Sequence, residues 1–197
     1  PGEKTEFHLY DEVSTAYHEG FPGHHYQVAI ATYLAEQLSR MHRLTIWYPG
    51  FGEGWALYAE HLMGELGFYD KPDYEIGLRI NQIHRACRVA IDIGFHCGFP
   101  IPDDAPFHPG EDWTFETAVE MLRTYAYLNE AYAESEVTRY FGWPGQAPAY
   151  KVGERVILSL RDAFMAREGA PLKDFHFRVV GSGAVGLDHL RELVLAD

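Results

Sequence analysis

His18-Glu19-Gly20-Phe21-Pro22-Gly23-His24-His25-Tyr26-Gln27 brings three imidazoles and a carboxylate into one short segment, denser in potential metal ligands than any other stretch of the chain. An imidazole followed at once by a carboxylate, with a second imidazole soon after, is what metal-assisted hydrolysis asks of one segment: neutral nitrogens for zinc and an acid beside its water. In the usual H-E-x-x-H helix the two histidines stand four residues apart and share a face. Here His24 lies six residues after His18, which in a straight helix means about 9 Å of rise and a rotation of about 120° away. His25 returns to the same face but about two turns further on, too far for two bonds of about 2.1 Å to one ion. The backbone must therefore break between the histidines. Pro22 lacks an N–H and its ring clashes with the carbonyl of His18, while Gly20 and Gly23 relax the steric limits on either side. The expected structure is one helical segment over Asp11–Glu19 and another over His24–Met41, meeting at a Pro-Gly kink, so that the first histidine ends one and the second begins the other.

Outward from this segment the periodicity is almost all helical. Glu6 to Tyr10 reads as a short strand. Tyr48-Pro49-Gly50 breaks the chain, and Glu53 to Leu66 reads as a helix stopped at Gly67. From Pro72 a long helix repeats Ile76, Ile80, Ile83, Cys87, Ile91 and Phe95 every three or four residues, an amphipathic core stripe, with Arg88, Asp92 and His96 on its other face. Gly98 to Asp112 is rich in proline and reads as a loop. Thr114–Leu128, Glu130–Phe141 and Tyr150–Arg167 are further helices. The fold class expected is all-α, as a single domain over residues 1–197. Gly181-Ser182-Gly183-Ala184-Val185-Gly186 satisfies G-x-G-x-x-G, with a possible strand over Phe175–Val180 and a helix over Asp188–Val194. The dinucleotide fingerprint also needs a second strand and an acidic residue about 20 positions on, and the sequence ends before either, so the motif reads as a turn.

The 197 residues include 47% hydrophobic ones, enough for a sizeable core. Asp and Glu number 29 against 16 Lys and Arg, a net charge of −13 that disfavours nucleic acid and anionic membrane surfaces as partners. No run reaches the ~18 apolar residues of a membrane span, and Pro1-Gly2-Glu3-Lys4 lacks the pattern of a secretion signal. A start at proline suggests a partial chain. Cys87 and Cys97, roughly 15 Å apart along one helix, cannot pair there. Free thiols favour a reducing compartment, and a cytoplasmic location is expected.

Three ordered blocks carry a resemblance: His18 to Gln27, Glu53-Gly54-Trp55-Ala56-Leu57-Tyr58-Ala59-Glu60, and Pro144-Gly145-Gln146-Ala147-Pro148-Ala149-Tyr150-Lys151-Val152-Gly153. They resemble the signature blocks of the bacterial domain-of-unknown-function family 885. That family in turn looks like a divergent branch of the gluzincin metallopeptidases, the group of angiotensin-converting enzyme and thimet oligopeptidase, which hold zinc with two helix histidines and a downstream glutamate. The resemblance covers nearly all of the chain. Family members are typically several hundred residues longer on the N-terminal side, and here a Pro-rich insertion follows Cys97. Association with such an N-terminal half, or a homo-oligomer, is therefore expected to complete the protein.

A catalytic zinc commonly uses three protein ligands, so His18 and His24 need a third. Glu53, on the following helix as in gluzincins, is the choice; Glu60, seven residues on and on nearly the same face, is the rival ligand or else an exposed acid near the helix end. Glu19 is the expected general base, taking a proton from water and passing it to the leaving amine. By the resemblance, Tyr150 matches the tyrosine that donates to the oxyanion; His96 is a second candidate, oriented by Asp92 four residues earlier or merely beside it on the helix surface. Arg88 is expected to hold a substrate carboxylate or pair with Asp92. Arg139 and Tyr140 frame the pocket or form a salt-bridged support, and Gln146 joins them as a substrate-side candidate. His25 is either a ligand or a neighbour of the site. His8, His42, His84, His108, His176 and His189 have no spacing that recommends them. Tyr17, Tyr26, Trp47, Tyr48, Trp55 and Tyr58 either line a peptide pocket or pack the core. The function expected is hydrolysis of peptide or related amide bonds by one Zn2+; the alternative is a non-enzymatic, zinc-stabilised helical module.

Overall fold

The computed structural model describes residues 8–167 and 169–196, and every regular element among them is helical. The all-α expectation holds. The chain runs α1 (Leu9–Glu19), α2 (His24–Tyr33), a π-helical turn over Met41–Thr45, α3 (Pro49–Glu65), α4 (Pro72–Cys97), α5 (Phe115–Tyr125), α6 (Glu130–Gly142), α7 (Gln146–Met165), α8 (Leu172–Gly181) and α9 (Leu187–Leu195).

The differences from expectation lie mainly at element ends. Leu9 and Tyr10, expected in a strand, already belong to α1, whose first turn carries Asp11 and Glu12 against the positive end of the helix dipole; Glu6 and Phe7 lie outside the described residues. α2 stops at Tyr33 instead of continuing to Met41. β-branched Ile30 and Thr32 weaken its end, and the Thr32 hydroxyl donates back to the Val28 carbonyl. Pro49 does not break the chain but opens α3 at its first turn, where its missing N–H has no partner to lose. Pro148 is tolerated near the start of α7 for the same reason, so that helix begins at Gln146 rather than Tyr150. Phe175–Val180 is helical: Phe175, Val179 and Val180 are buried while Phe177 is exposed, a helical period. The glycine-rich motif is thus a turn between two helices.

The described residues fall into two compact units, one of residues 8–14 and 70–148, the other of residues 15–69, 149–167 and 169–196. In the second unit, Phe51, Trp55, Tyr58 and Leu62 of α3 follow helical spacing and pack with Ile157, Leu160 and Phe164 of α7, Phe175 and Val179 of α8, and Leu190 and Val194 of α9. Each such large side chain contributes roughly 1.5–3 kcal/mol when fully buried. α3 and α7 cross at glycines: a Cβ on Gly54 would stand 2.5 Å from the Gly153 Cα, and one on Gly153 would stand 1.9 Å from the Gly50 carbonyl oxygen. Only hydrogens fit there.

In the first unit, Cys87 and Ile91 of α4 pack with Ala118, Val119 and Leu122 of α5 and Ala133, Val137 and Tyr140 of α6. The expected core stripe of α4 is buried only in part, since Ile76, Ile83 and Phe95 are 54%, 42% and 38% exposed. The helix buries His84, Arg88 and Asp92 instead, because each finds a polar partner: Tyr140 of α6 meets His84 and Arg88, Arg88 donates to Gln146 of α7, and Asp92 accepts from the Gly145 backbone N–H between the two helices. Cys87 and Cys97 both lie in α4 and are free thiols. No helix among the described residues is long and apolar enough to cross a membrane.

Candidate metal centre

The break between the histidines has the expected form. α1 ends at Glu19, the turn Gly20–Gly23 follows, and α2 starts at His24. Gly23 lies directly on the last turn of α1, where a Cβ would stand 1.8 Å from the His18 carbonyl oxygen. The Trp55 indole N–H, from the core face of α3, donates to the Pro22 carbonyl at 2.9 Å and ties this turn to α3. Two imidazoles that a straight helix would send apart are therefore folded together, with ring centroids 4.8 Å apart and planes at 87°.

Glu53 closes the set. Its Oε2 lies 3.4 Å from His18 Nε2 and 3.2 Å from His24 Nε2, and the three potential ligand atoms all fall within 4.8 Å of one another. Two ligands bound to one tetrahedral zinc at about 2.1 Å stand about 3.4 Å apart, so the two carboxylate–imidazole distances fit that ion. The proton inventory points the same way. Glu60 receives a hydrogen bond from His18 Nδ1 at 2.7 Å. A carboxylate only accepts, so Nδ1 carries the ring proton, and in the neutral ring Nε2 is left as a bare lone pair facing the Glu53 oxygen. Such a pair of acceptors needs a proton or a cation between them. When the rings carry that proton, their hydrogen bonds and charge outweigh the burial that alone would raise the Glu53 carboxyl, and hold the group down to about 2.

Glu60 is thus neither a ligand beside Glu53 nor an exposed acid: it is 2% exposed and fixes the tautomer and orientation of His18. The spacing of two turns from Glu53 was the available signal, and the crossing of α1 over α3 decides its use. Tyr150, at the start of α7, stacks against the His18 ring at 6.1 Å between centroids. Glu19 is exposed at the end of α1, and His25 is exposed at the start of α2. Among the aromatics, Trp55 and Tyr58 are core, Tyr17 packs edge-on against Tyr69, and Trp47 reaches the His24 ring at 5.5 Å.

The chain matches the family model described as bacterial protein of unknown function, DUF885, over residues 1–194. It belongs to that family. No curated protein matches it. Solved structures that match include two described as a "putative lipoprotein": one from Colwellia psychrerythraea, 34% identical with a TM-score of 0.81, and one from Shewanella oneidensis, 24% identical with a TM-score of 0.79. They cover 94% and 95% of this chain, which corresponds to 30% and 32% of their own lengths. The chain spans less than a third of the solved structures it matches.

In this DUF885 chain the remaining expected site residues assemble with one another in the first unit. Arg88 and Arg139 both donate to Gln146 Oε1, at 3.0 and 2.9 Å, and Arg139 forks onto Glu136 at 3.2 and 2.6 Å. The Tyr140 hydroxyl donates to Glu136 at 2.7 Å and lies 3.1 Å from His84 Nε2. The expected pairing of Asp92 with His96 is absent: Asp92 is buried and accepts from the Gly145 backbone N–H, whereas His96 Nε2 donates to the Tyr140 carbonyl at 3.0 Å. His84 and Glu136 were missed in the sequence, since neither belongs to a recognisable motif.

Proposed function

We propose that this chain carries the zinc centre of a metallohydrolase that cleaves peptide or related amide bonds. The observation that carries the reading is the convergence of His18, His24 and Glu53, whose potential ligand atoms lie within 4.8 Å of one another with Glu53 Oε2 3.4 and 3.2 Å from the two Nε2 atoms, while Glu60 holds His18 in the tautomer that turns a lone pair to the centre. When bound, zinc would acidify a water and polarise the scissile carbonyl. Glu19, next to His18 but outside the ligand set, takes the proton of the attacking water and returns it to the leaving amine. Tyr150, stacked on His18, is the residue that the likeness to gluzincin peptidases assigns to the oxyanion. His18, His24 and Glu53 hold the ion, and Glu60 positions the first of them.

The test separates binding from turnover. Glu19→Gln should retain zinc in elemental analysis while peptide turnover falls by about 10²–10⁴-fold. A variant that stays active removes the mechanism, and wild-type protein purified without chelators or metal-affinity tags that contains no transition metal removes the centre.

A second reading rests on length. Because the chain corresponds to under a third of its solved relatives, the substrate cleft is completed by other segments of the parent protein or by another chain, and this portion alone is a zinc-stabilised module. Zinc-loaded chain that cleaves nothing, beside a parent-length protein that does, would favour it. The cytoplasmic location gains no support: the 34% identical relative, described as a "putative lipoprotein", favours a lipid-anchored setting outside the cytoplasm.

A further inference from the structure

α4 turns an apolar face to solvent along most of its length. Ile76, Ile80, Ile83, Ala86, Ala90 and Ile93 recur every three or four residues and are exposed or half-buried, while Cys87 and Ile91 of the same helix pack into the core of the first unit. From Ile76 to Ile93 the stripe runs about 25 Å at the rise of an α-helix. In its middle, Ile83, Ala86, Cys87 and Ala90 line a groove of about 370 Å³ together with the loop from Ile101 to Phe107 and with Met121 and Tyr125 of α5. The groove is held in shape from several sides. The Ile101 N–H donates to the Glu111 carbonyl at 2.8 Å and the Gly110 N–H to the Ile101 carbonyl at 2.9 Å, which closes the loop on itself. His108 Nε2, 3.1 Å from Glu120, ties the loop to α5. Trp113, another lining residue, lies directly on α4, where a Cβ on Gly94 would stand 2.1 Å from the indole Nε1. Soluble proteins keep exposed apolar patches small, so a long apolar face with a formed groove marks a surface that is covered by something else.

We infer that this face receives an amphipathic helix from the part of the parent protein that this chain does not span. The spacing selects a helix: apolar residues every three or four positions over about five turns offer the ridges and grooves that a second helix fills, and Ala86 and Ala90 let the two backbones approach closely. A small ligand seated in the groove would leave Ile76 and Ile93 in water. Length supplies the source, since more than two-thirds of the 34% identical relative lies outside the part that this chain matches. Charge disfavours a second copy of the chain, because two bodies of net charge −13 repel each other. Charge also describes the helix: none of the groove's lining residues is charged, and Asp103 and Asp104 stand exposed on its loop, so Lys or Arg beside the apolar stripe complements the rim.

Thiol labelling tests the inference independently of the zinc reading. In a Cys97→Ser background, Ala90→Cys places a thiol in the groove, and the remaining Cys87 is buried. In the full gene product this thiol should react with a maleimide at least about tenfold more slowly than in the isolated chain, because packed surfaces admit a reagent only through local opening. A short thiol-to-amine cross-linker at the same position should join it to lysines of one helical segment in the same polypeptide. Ile83→Asp should return the labelling rate of the full product towards that of the isolated chain; where that variant fails to fold, the two lengths and the cross-link decide. Equal labelling at both lengths overturns the inference. Protection that grows with protein concentration assigns the face to a second copy and overturns it as well, as do cross-links that fall on a different polypeptide or nowhere.

Discussion

Two clusters of this chain each combine histidine, glutamate and tyrosine, and they handle buried negative charge by different means. In the first unit Glu136 is gripped by the Arg139 guanidinium and receives the Tyr140 hydroxyl, and burial, with Arg85 and Arg88 adding charge, pushes the His84 imidazole down to about 3. Its cation is built in, and the imidazole stays neutral. In the second unit the groups that hold Glu53 as a carboxylate are two imidazoles, one of which has already committed its Nδ1 proton to Glu60. Buried carboxylates need a counter-charge, which a guanidinium supplies permanently and a protonated ring or a metal supplies reversibly. The first arrangement is suited to holding helices together, the second to taking up an ion.

The largest effect should come from removing the charge that distinguishes the second cluster. Glu53→Gln keeps the volume and loses the anionic ligand, so metal content in elemental analysis should fall from one equivalent to background while circular dichroism remains helical. Retention of the metal would show that Glu53 is no ligand and would dissolve the contrast between the clusters.

Next in size is the acid response of the first cluster. Arg85, Arg88, Glu136, Tyr132, Arg139 and Tyr140 surround His84, which burial depresses from 6.5 to about 3. In the unfolded chain the imidazole titrates near its ordinary value, so between about pH 6.5 and 3 the unfolded state binds the extra proton. His84 therefore contributes stability fully above that window and loses it as pH falls, by roughly a few kcal/mol. His176, likewise lowered to about 4 by burial beside Arg161, adds to the same slope. Urea unfolding of metal-free protein across this range should show the decline, and His84→Gln should flatten part of it. An unchanged slope in the variant would mean that His84 is not the buried neutral base described here.

The contrast also marks how far the sequence could be read. The class of fold was legible because helical stripes and proline positions are local, and Pro22 between two glycines forced the break that joins His18 to His24. Glu53 was legible through its neighbouring motif. The choice between Glu53 and Glu60 was not, since both lie on one face of α3 and only the crossing of α1 decides which carboxylate meets Nε2 and which meets Nδ1. The α4 stripe misled for a related reason: Ile76 and Ile83 have the spacing of core residues, but Gln146 and the Gly145 backbone N–H draw Arg88 and Asp92 inward, and those partners are more than 40 positions away in sequence.

The smallest effect tests the finest point of the comparison, the division of labour between Glu53 and Glu60 of α3. Glu60→Gln keeps size and burial but substitutes a neutral amide for the carboxylate on His18 Nδ1. The amide carbonyl still accepts the ring proton, so the imidazole remains oriented, but it no longer strengthens the basicity of Nε2. Zinc affinity should fall about 10–100-fold, the range typical of outer partners of metal-bound histidines, with occupancy restored at higher zinc. Competition against a chelator of known affinity gives the number. Abolished binding that excess zinc cannot restore would make Glu60 a direct ligand. Unchanged affinity would mean that the 2.7 Å contact only orients the ring, a role the amide fulfils equally well.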